Sequence, residues 1–210
     1  MLFLEATSKN AGVFLWGDNF FLSELYDLTH KCWDSSLVID GNLQDILCNF
    51  SYDIRKAYDG AREHDYIRDS NNENIPIYGV KINWLLLLLA INYMRHSFAY
   101  LETTKKDQSI MYLLEYHVEK TLYEQFLEKS QIITNIANQV VFENQEHLSS
   151  KFLAGENYFL SLTTKPKRTV ELLPIMKSLL SFHAMSDEKT LAVNEEILLN
   201  NGYCPEIVKW

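Results

Sequence analysis

The sequence predicts a mainly α protein. One helical domain spans residues 1–210, a small β-hairpin (1–18) opens it, and a helical bundle (19–210) packs around a buried central helix at about 80–103. Three observations predict this. The 210 residues hold only seven Gly and four Pro, too few for a turn-rich sandwich or barrel. Beyond residue 19, apolar residues recur at three-to-four spacing. Finally, INWLLLLLAINYM (82–94) runs 13 residues without a charge. A bilayer span needs about 20 apolar residues, so this run reads as a core helix closed by Lys81 and Arg95.

Leu2–Ala6 and Val13–Gly17 alternate apolar and other residues at period two, and TSKNAG between them supplies Asn10 and Gly12 as turn residues. A lone hairpin is marginal in water and needs a helix, a strand or another subunit against it. Asp18 or Asn19 can cap the next helix, whose stripe is Phe21, Leu25, Leu28 and Cys32. A second helix is expected from about Leu43 to Glu63, with Ile46, Leu47, Phe50, Ile54, Ala57, Tyr58 and Ala61 inward. HDYIRDSNNENIPIYGV reads as a polar, functional loop, and its end (75–80) can form a third, edge strand where Pro76 is tolerated.

The central helix follows. Asp107–Asn144 is either one long helix or two broken near Lys129–Gln131. LSSKFLAGENYFLSL is either one helix or a helical pair broken at Gly155, and KPKR (165–168) reads as a connector between helices. In the next helix Pro174 marks a kink or a fresh start, and SDEKTLAVNEEILLNNGY carries a cap at Ser186 and a stop at Gly202.

Function is mostly narrowed by exclusion. A net charge of −9 disfavours nucleic-acid binding. The three cysteines are widely spaced and form no C-x-x-C, which fits a reducing compartment. MLFLEATSKN meets Glu5 at once and is not expected to be a signal peptide. G-x-S-x-G, P-loop and G-x-G-x-x-G motifs are missing. Glu115 and Glu119 share a helix face while His117 points away, and Glu143 with His147 is a single i, i+4 pair, so no metal site is expected.

The richest constellation is YDIRKAYDGARE (52–63), where Arg55, Asp59 and Arg62 would share one helical face. Paired arginines can grip a phosphate or carboxylate, but such a row is also what a solvated or structural salt-bridge face looks like. The candidate ligand-binding residues are Tyr52, Arg55, Asp59, Arg62, Arg95 and Glu115, with no catalytic or metal-ligating residue among them.

The stretches LEATSKNAGVFLWGDNFFLSELYDLTH, YDIRKAYDGARE and LLEYHVEKTL resemble a family of small uncharacterised bacterial proteins, a domain of unknown function, over most of the first two-thirds of the chain. The resemblance implies bacterial origin and one domain, carries over no catalytic residue, and directs attention to Tyr52–Glu63 and Glu115. The leading expectation is a non-enzymatic cytoplasmic protein acting through protein contacts, as a homodimer or with another protein, with no cofactor, nucleic acid or membrane. The alternative is a binding domain or enzyme for an anionic metabolite or nucleotide, using the Arg/Asp/Tyr/Glu cluster between helices.

Overall fold

A computed structural model describes residues 1–34, 41–142, 148–180 and 208–210. The order is β1 (Leu2–Ala6), β2 (Gly12–Gly17), α1 (Asn19–Asp34), α2 (Gly41–Tyr58), β3 (Glu63–Arg68), β4 (Asn74–Asn83), α3 (Trp84–Ser97), α4 (Lys105–Phe126), α5 (Lys129–Phe142), α6 (Leu148–Ser161) and α7 (Lys165–Leu180). The expected helix at 186–203 lies outside the described residues. The fold is mainly helical with a small antiparallel sheet of order β1-β2-β4-β3.

The expected hairpin is present. Leu2, Leu4, Val13 and Leu15 are buried, whereas Phe3, Phe14 and Trp16 stack on the outer face. The turn uses Asn10 in the left-handed region (φ 56°), which Asn tolerates better than most residues. The Asn10 side chain then accepts from Trp84 Nε1 (3.0 Å) and donates to Thr169 Oγ1 (3.1 Å), tying the turn to α3 and α7. Gly12 is not a turn residue: it begins β2, opposite Asn83.

The hairpin finds its covering strand within the chain. β4 pairs with β2 from Tyr78 to Asn83 and with β3 from Asn74 to Gly79. The strand expected at 75–80 is therefore interior, not an edge. Pro76 is tolerated because it lies before β2 pairing begins, opposite Tyr66. The expected functional loop is thus a β-hairpin, turned at Asp69, whose Oδ1 accepts from the Asn71 and Glu73 amides (both 2.8 Å).

α2 ends at Tyr58, not Glu63. Gly60 adopts φ 72°, its amide bonds Ala57 O (2.9 Å), and the Ala61 amide bonds Lys56 O (2.9 Å). This is a Schellman closure, for which a left-handed glycine is suited. Arg62 consequently leaves the helix, and the face of Arg55, Asp59 and Arg62 does not form.

α3 begins at Trp84 rather than near 80, because Val80 and Ile82 are held in the β ladder. Asn83 caps it, its side chain accepting from the Leu86 amide (2.9 Å). Trp84 to Ile91 are all buried, so the helix is the core axis expected of it. Among the described residues no helix is long and apolar enough to cross a membrane.

The 107–144 segment is two helices, α4 and α5, parted at Leu127 (φ 49°). Gly155 does not break α6. A Cβ there would stand 3.0 Å from Ile175 Cγ2, so the glycine lets α6 approach α7. KPKR is not a connector but the first turn of α7, which runs through Pro174 without ending.

Candidate functional site

A cleft of about 500 Å³ opens between α2, the β3–β4 pair, α6 and the segment Val208–Trp210. α2 supplies Asn49, Tyr52 and Asp53, spaced i, i+3, i+4 on one face. Arg62 enters from the turn after the Gly60 closure, Glu63 from the first position of β3 and Lys81 from β4. α6 supplies Leu153 and Glu156, three residues apart. Val80, Ile82 and Leu86 form apolar wall, and Trp210 forms the aromatic one.

The polar groups are held in order. Arg62 Nη2 donates to Asp53 Oδ1 (2.9 Å), and Lys81 Nζ lies 2.9 Å from Glu63 Oε1 and 5.1 Å from the centroid of the Phe14 ring. Asn83 spends its oxygen on the α3 cap and donates from Nδ2 to Glu156 Oε1 (2.7 Å). Trp210 is positioned through its backbone: Ser8 Oγ donates to Trp210 O (2.8 Å), and Arg168 Nη1 to Lys209 O (2.5 Å).

Two carboxyls here are held above the usual range. Burial raises Glu156, the Asp53 charge adds to it, and the Asn83 hydrogen bond opposes both. Burial also raises Asp53, opposed by Arg62. Such paired groups in a cleft are candidates for binding or proton transfer.

The raised Glu156 pKa couples its protonation to folding. A raised folded-state pKa makes its contribution to stability full at low pH and lost as pH rises through that value. Glu156→Gln keeps an acceptor for Asn83 and removes the charge. Its urea midpoint should therefore improve relative to the parent as pH rises from the ordinary carboxylate range toward neutrality. A difference that stays flat with pH would refute this.

Asn83 joins the α3 cap to the cleft. Asn83→Ala should cost about 1–2 kcal/mol through the lost cap. Asn83→Asp keeps a capping oxygen but faces Glu156 with a second carboxylate, so its loss should shrink as pH falls. Equal urea midpoints for Asn83→Asp and the parent at neutral pH would show that the Glu156 contact is idle.

The six sequence candidates are not gathered in one place. Tyr52 and Arg62 line the cleft. Arg55 is exposed, its guanidinium 5.6 Å from the Tyr52 ring centroid, and Asp59 is exposed at the end of α2. Arg95 and Glu115 meet elsewhere, between α3 and α4, in a two-pronged pair (2.6 and 2.5 Å) with Gln108 at 3.3 Å and the Tyr112 ring at 4.7 Å. They border a smaller hollow of about 160 Å³. Glu143 and His147 lie outside the described residues, and among the described residues no group of three metal-ligating side chains converges.

Sequence reading missed Asp53, Glu63, Lys81, Asn83, Glu156 and Trp210 as site residues. One signal was available: Glu156 is the lone acidic residue in the apolar stretch FLAGENYFL. The others come together only when β4 folds between β2 and β3.

Fold and cleft together define a mainly helical protein with an N-terminal four-stranded antiparallel sheet and a mixed-charge cleft where sheet and helices meet. The chain belongs to the family described as Domain of unknown function (DUF6904), whose model matches residues 2–199. Neither a curated protein nor a solved structure matches it.

Proposed function

We propose that the protein is a small-molecule-binding domain whose ligand occupies the cleft between α2, β4 and α6. The observation that carries this reading is the cleft of about 500 Å³, a size typical of ligand sites, into which α2, β3, β4, α6 and Trp210 all project charged or aromatic side chains. Tyr52 and Arg62, of the six sequence candidates, belong to this proposal.

A thermal-shift screen of cationic, neutral and anionic metabolites tests it, since a native-state ligand raises the melting temperature. Leu153 is exposed at the cleft, so Leu153→Trp should fill the space without unfolding the chain. A hit whose shift disappears in Leu153→Trp supports the reading. No hit, or hits indifferent to Leu153→Trp, sinks it.

A second reading, a homodimer acting through protein contacts, draws on the outer face of α4. Tyr112, Tyr116 and Tyr123 are 62%, 58% and 60% exposed there at helical spacing, with Leu113 beside them. Sedimentation velocity separates this reading: a monomer at all concentrations, or a dimer unaffected by Tyr116→Glu, removes it. We infer a reducing, cytoplasmic and bacterial setting from the cysteine usage and the family likeness. Cys32 and Cys48 as free thiols support the reducing part.

A further inference from the structure

We propose that the cleft takes an organic cation, an ammonium or guanidinium group on a flat apolar body, with Glu156 as its counter-ion and Trp210 as its aromatic wall. This rests on the ligand-binding reading above and names its ligand class. Most of the charges in the cleft are already spent on one another. The cleft has three carboxylates, Asp53, Glu63 and Glu156, against two cations, Arg62 and Lys81. Arg62 is paired with Asp53 and Lys81 with Glu63, each at 2.9 Å. Among the described residues Glu156 has no cation, and its one hydrogen bond comes from Asn83 to Oε1.

A carboxylate offers about four acceptor positions, and a neutral amide fills one of them here. An anionic ligand would compete with Asp53 for Arg62 or with Glu63 for Lys81 and so weaken an existing ion pair. A cationic ligand breaks none, and it relieves the repulsion between Asp53 and Glu156. Trp210 adds an aromatic surface of the kind ammonium groups favour, and Val80, Ile82, Leu86 and Leu153 give the apolar body a place.

The charged groups around Glu156 on every packed element fit this reading. α2 brings Asp53, the turn before β3 brings Arg62, β3 brings Glu63 and β4 brings Lys81. α6 itself carries Lys151, and Lys209 on the last segment is exposed. α7 carries Glu171 and Arg168, the latter committed to backbone carbonyls. The first three turns of α3, Trp84 to Met94, carry no charge. Because burial and Asp53 hold the Glu156 carboxyl above its ordinary value, cation affinity should fall as pH drops through that raised range.

The test uses three matched probes at millimolar concentration, phenethylammonium, 2-phenylethanol and 3-phenylpropionate, followed by amide and indole NMR shifts. Phenethylammonium should perturb the Trp210 indole and the Asn83 side-chain amide. It should bind about tenfold more tightly than the alcohol at neutral pH, the size of one charge-assisted hydrogen bond. Its affinity should decline as pH falls through the raised Glu156 range, and Glu156→Gln should remove both the preference and the decline. Glu156→Asp, checked for folding by circular dichroism, should retain part of the preference.

An alcohol or propionate that binds as tightly as the ammonium, and is blocked by Leu153→Trp, overturns the cation inference and leaves the cleft reading standing. Full, pH-dependent affinity in folded Glu156→Gln also overturns it. A screen hit at the cleft with no response to phenethylammonium does the same. Silence from every probe and from the screen removes both readings.

Discussion

Gly12→Ala is expected to cost more than about 4 kcal/mol and to leave little folded protein, because the added methyl has nowhere to go. A Cβ on Gly12 would lie 1.9 Å from the Ile82 carbonyl oxygen and 2.6 Å from Asn83 Cα. Those atoms are backbone, so no rotamer change relieves the clash, and β2 and β4 would have to part. Parting them uncovers Val13 and Ile82, a register pair in the core, and disturbs Asn83, which caps α3 and holds Glu156. Gly79→Ala is the control. Its Cβ would stand 2.4 Å from the Trp16 ring, a side chain that can swing away, so its cost should be smaller, about 1–3 kcal/mol. Urea denaturation followed by circular dichroism measures both. A Gly12→Ala protein within about 1 kcal/mol of the parent would refute the close-approach argument.

Arg168→Met should be the second large loss, about 3–4 kcal/mol. Arg168 is 0% exposed, yet no carboxylate neutralises it among its described bonds. Its guanidinium donates to Lys9 O (3.3 Å), Leu160 O (3.1 Å) and Lys209 O (2.5 Å). Three carbonyls from the β1–β2 turn, the end of α6 and the last described segment thus converge on one side chain. Methionine fills much of the volume but leaves these acceptors unpaired, each costing about 1–3 kcal/mol if it stays dry. Arg168→Lys keeps a charge that burial disfavours, as the lowered pKa of Arg168 shows, and a single ammonium cannot fork to three directions. It should recover only part of the loss. Trp210 follows Lys209, so Arg168→Met should also weaken any ligand that uses the Trp210 wall. Urea midpoints equal to the parent for Arg168→Met would mean that water replaces the lost donors.

The helices were legible where one face decides their fate. Phe21, Leu25, Leu28 and Cys32 of α1 recur at helical spacing and are all buried. Burial pushes the Cys32 thiol up to about 12, consistent with its reading as a small hydrophobe. The same holds for Ile46, Leu47, Phe50, Ile54 and Ala57 of α2. Boundaries were less legible. The period-two signal of Val80 and Ile82 merges into the leucine run, and apolar content alone does not mark Asn83 as the switch from strand to helix. A helix drawn from Leu43 to Glu63 runs over Gly60, whereas a left-handed glycine there closes the helix and sends Arg62 toward Asp53.

The cleft was hardly legible. Asp53, Lys81, Glu156 and Trp210 are separated by 28 residues or more from one another in the chain. No local period relates them. Arg168 was hidden most: KPKR reads as a connector between helices, but it opens α7, where Lys165 and Lys167 are exposed while Arg168 is buried. One residue in such a run is buried only because three distant carbonyls await it.

By itself, then, the sequence determined the helical class, the hairpin and the buried axis, since each depends on a periodicity that water and a core enforce locally. The tertiary structure decided where β4 inserts, which charges pair, and that Glu156 faces the cleft with no cation paired to it among the described residues. Those outcomes depend on contacts across the chain, where backbone approach at Gly12 and the carbonyl geometry around Arg168 set the positions, and no local pattern encodes them.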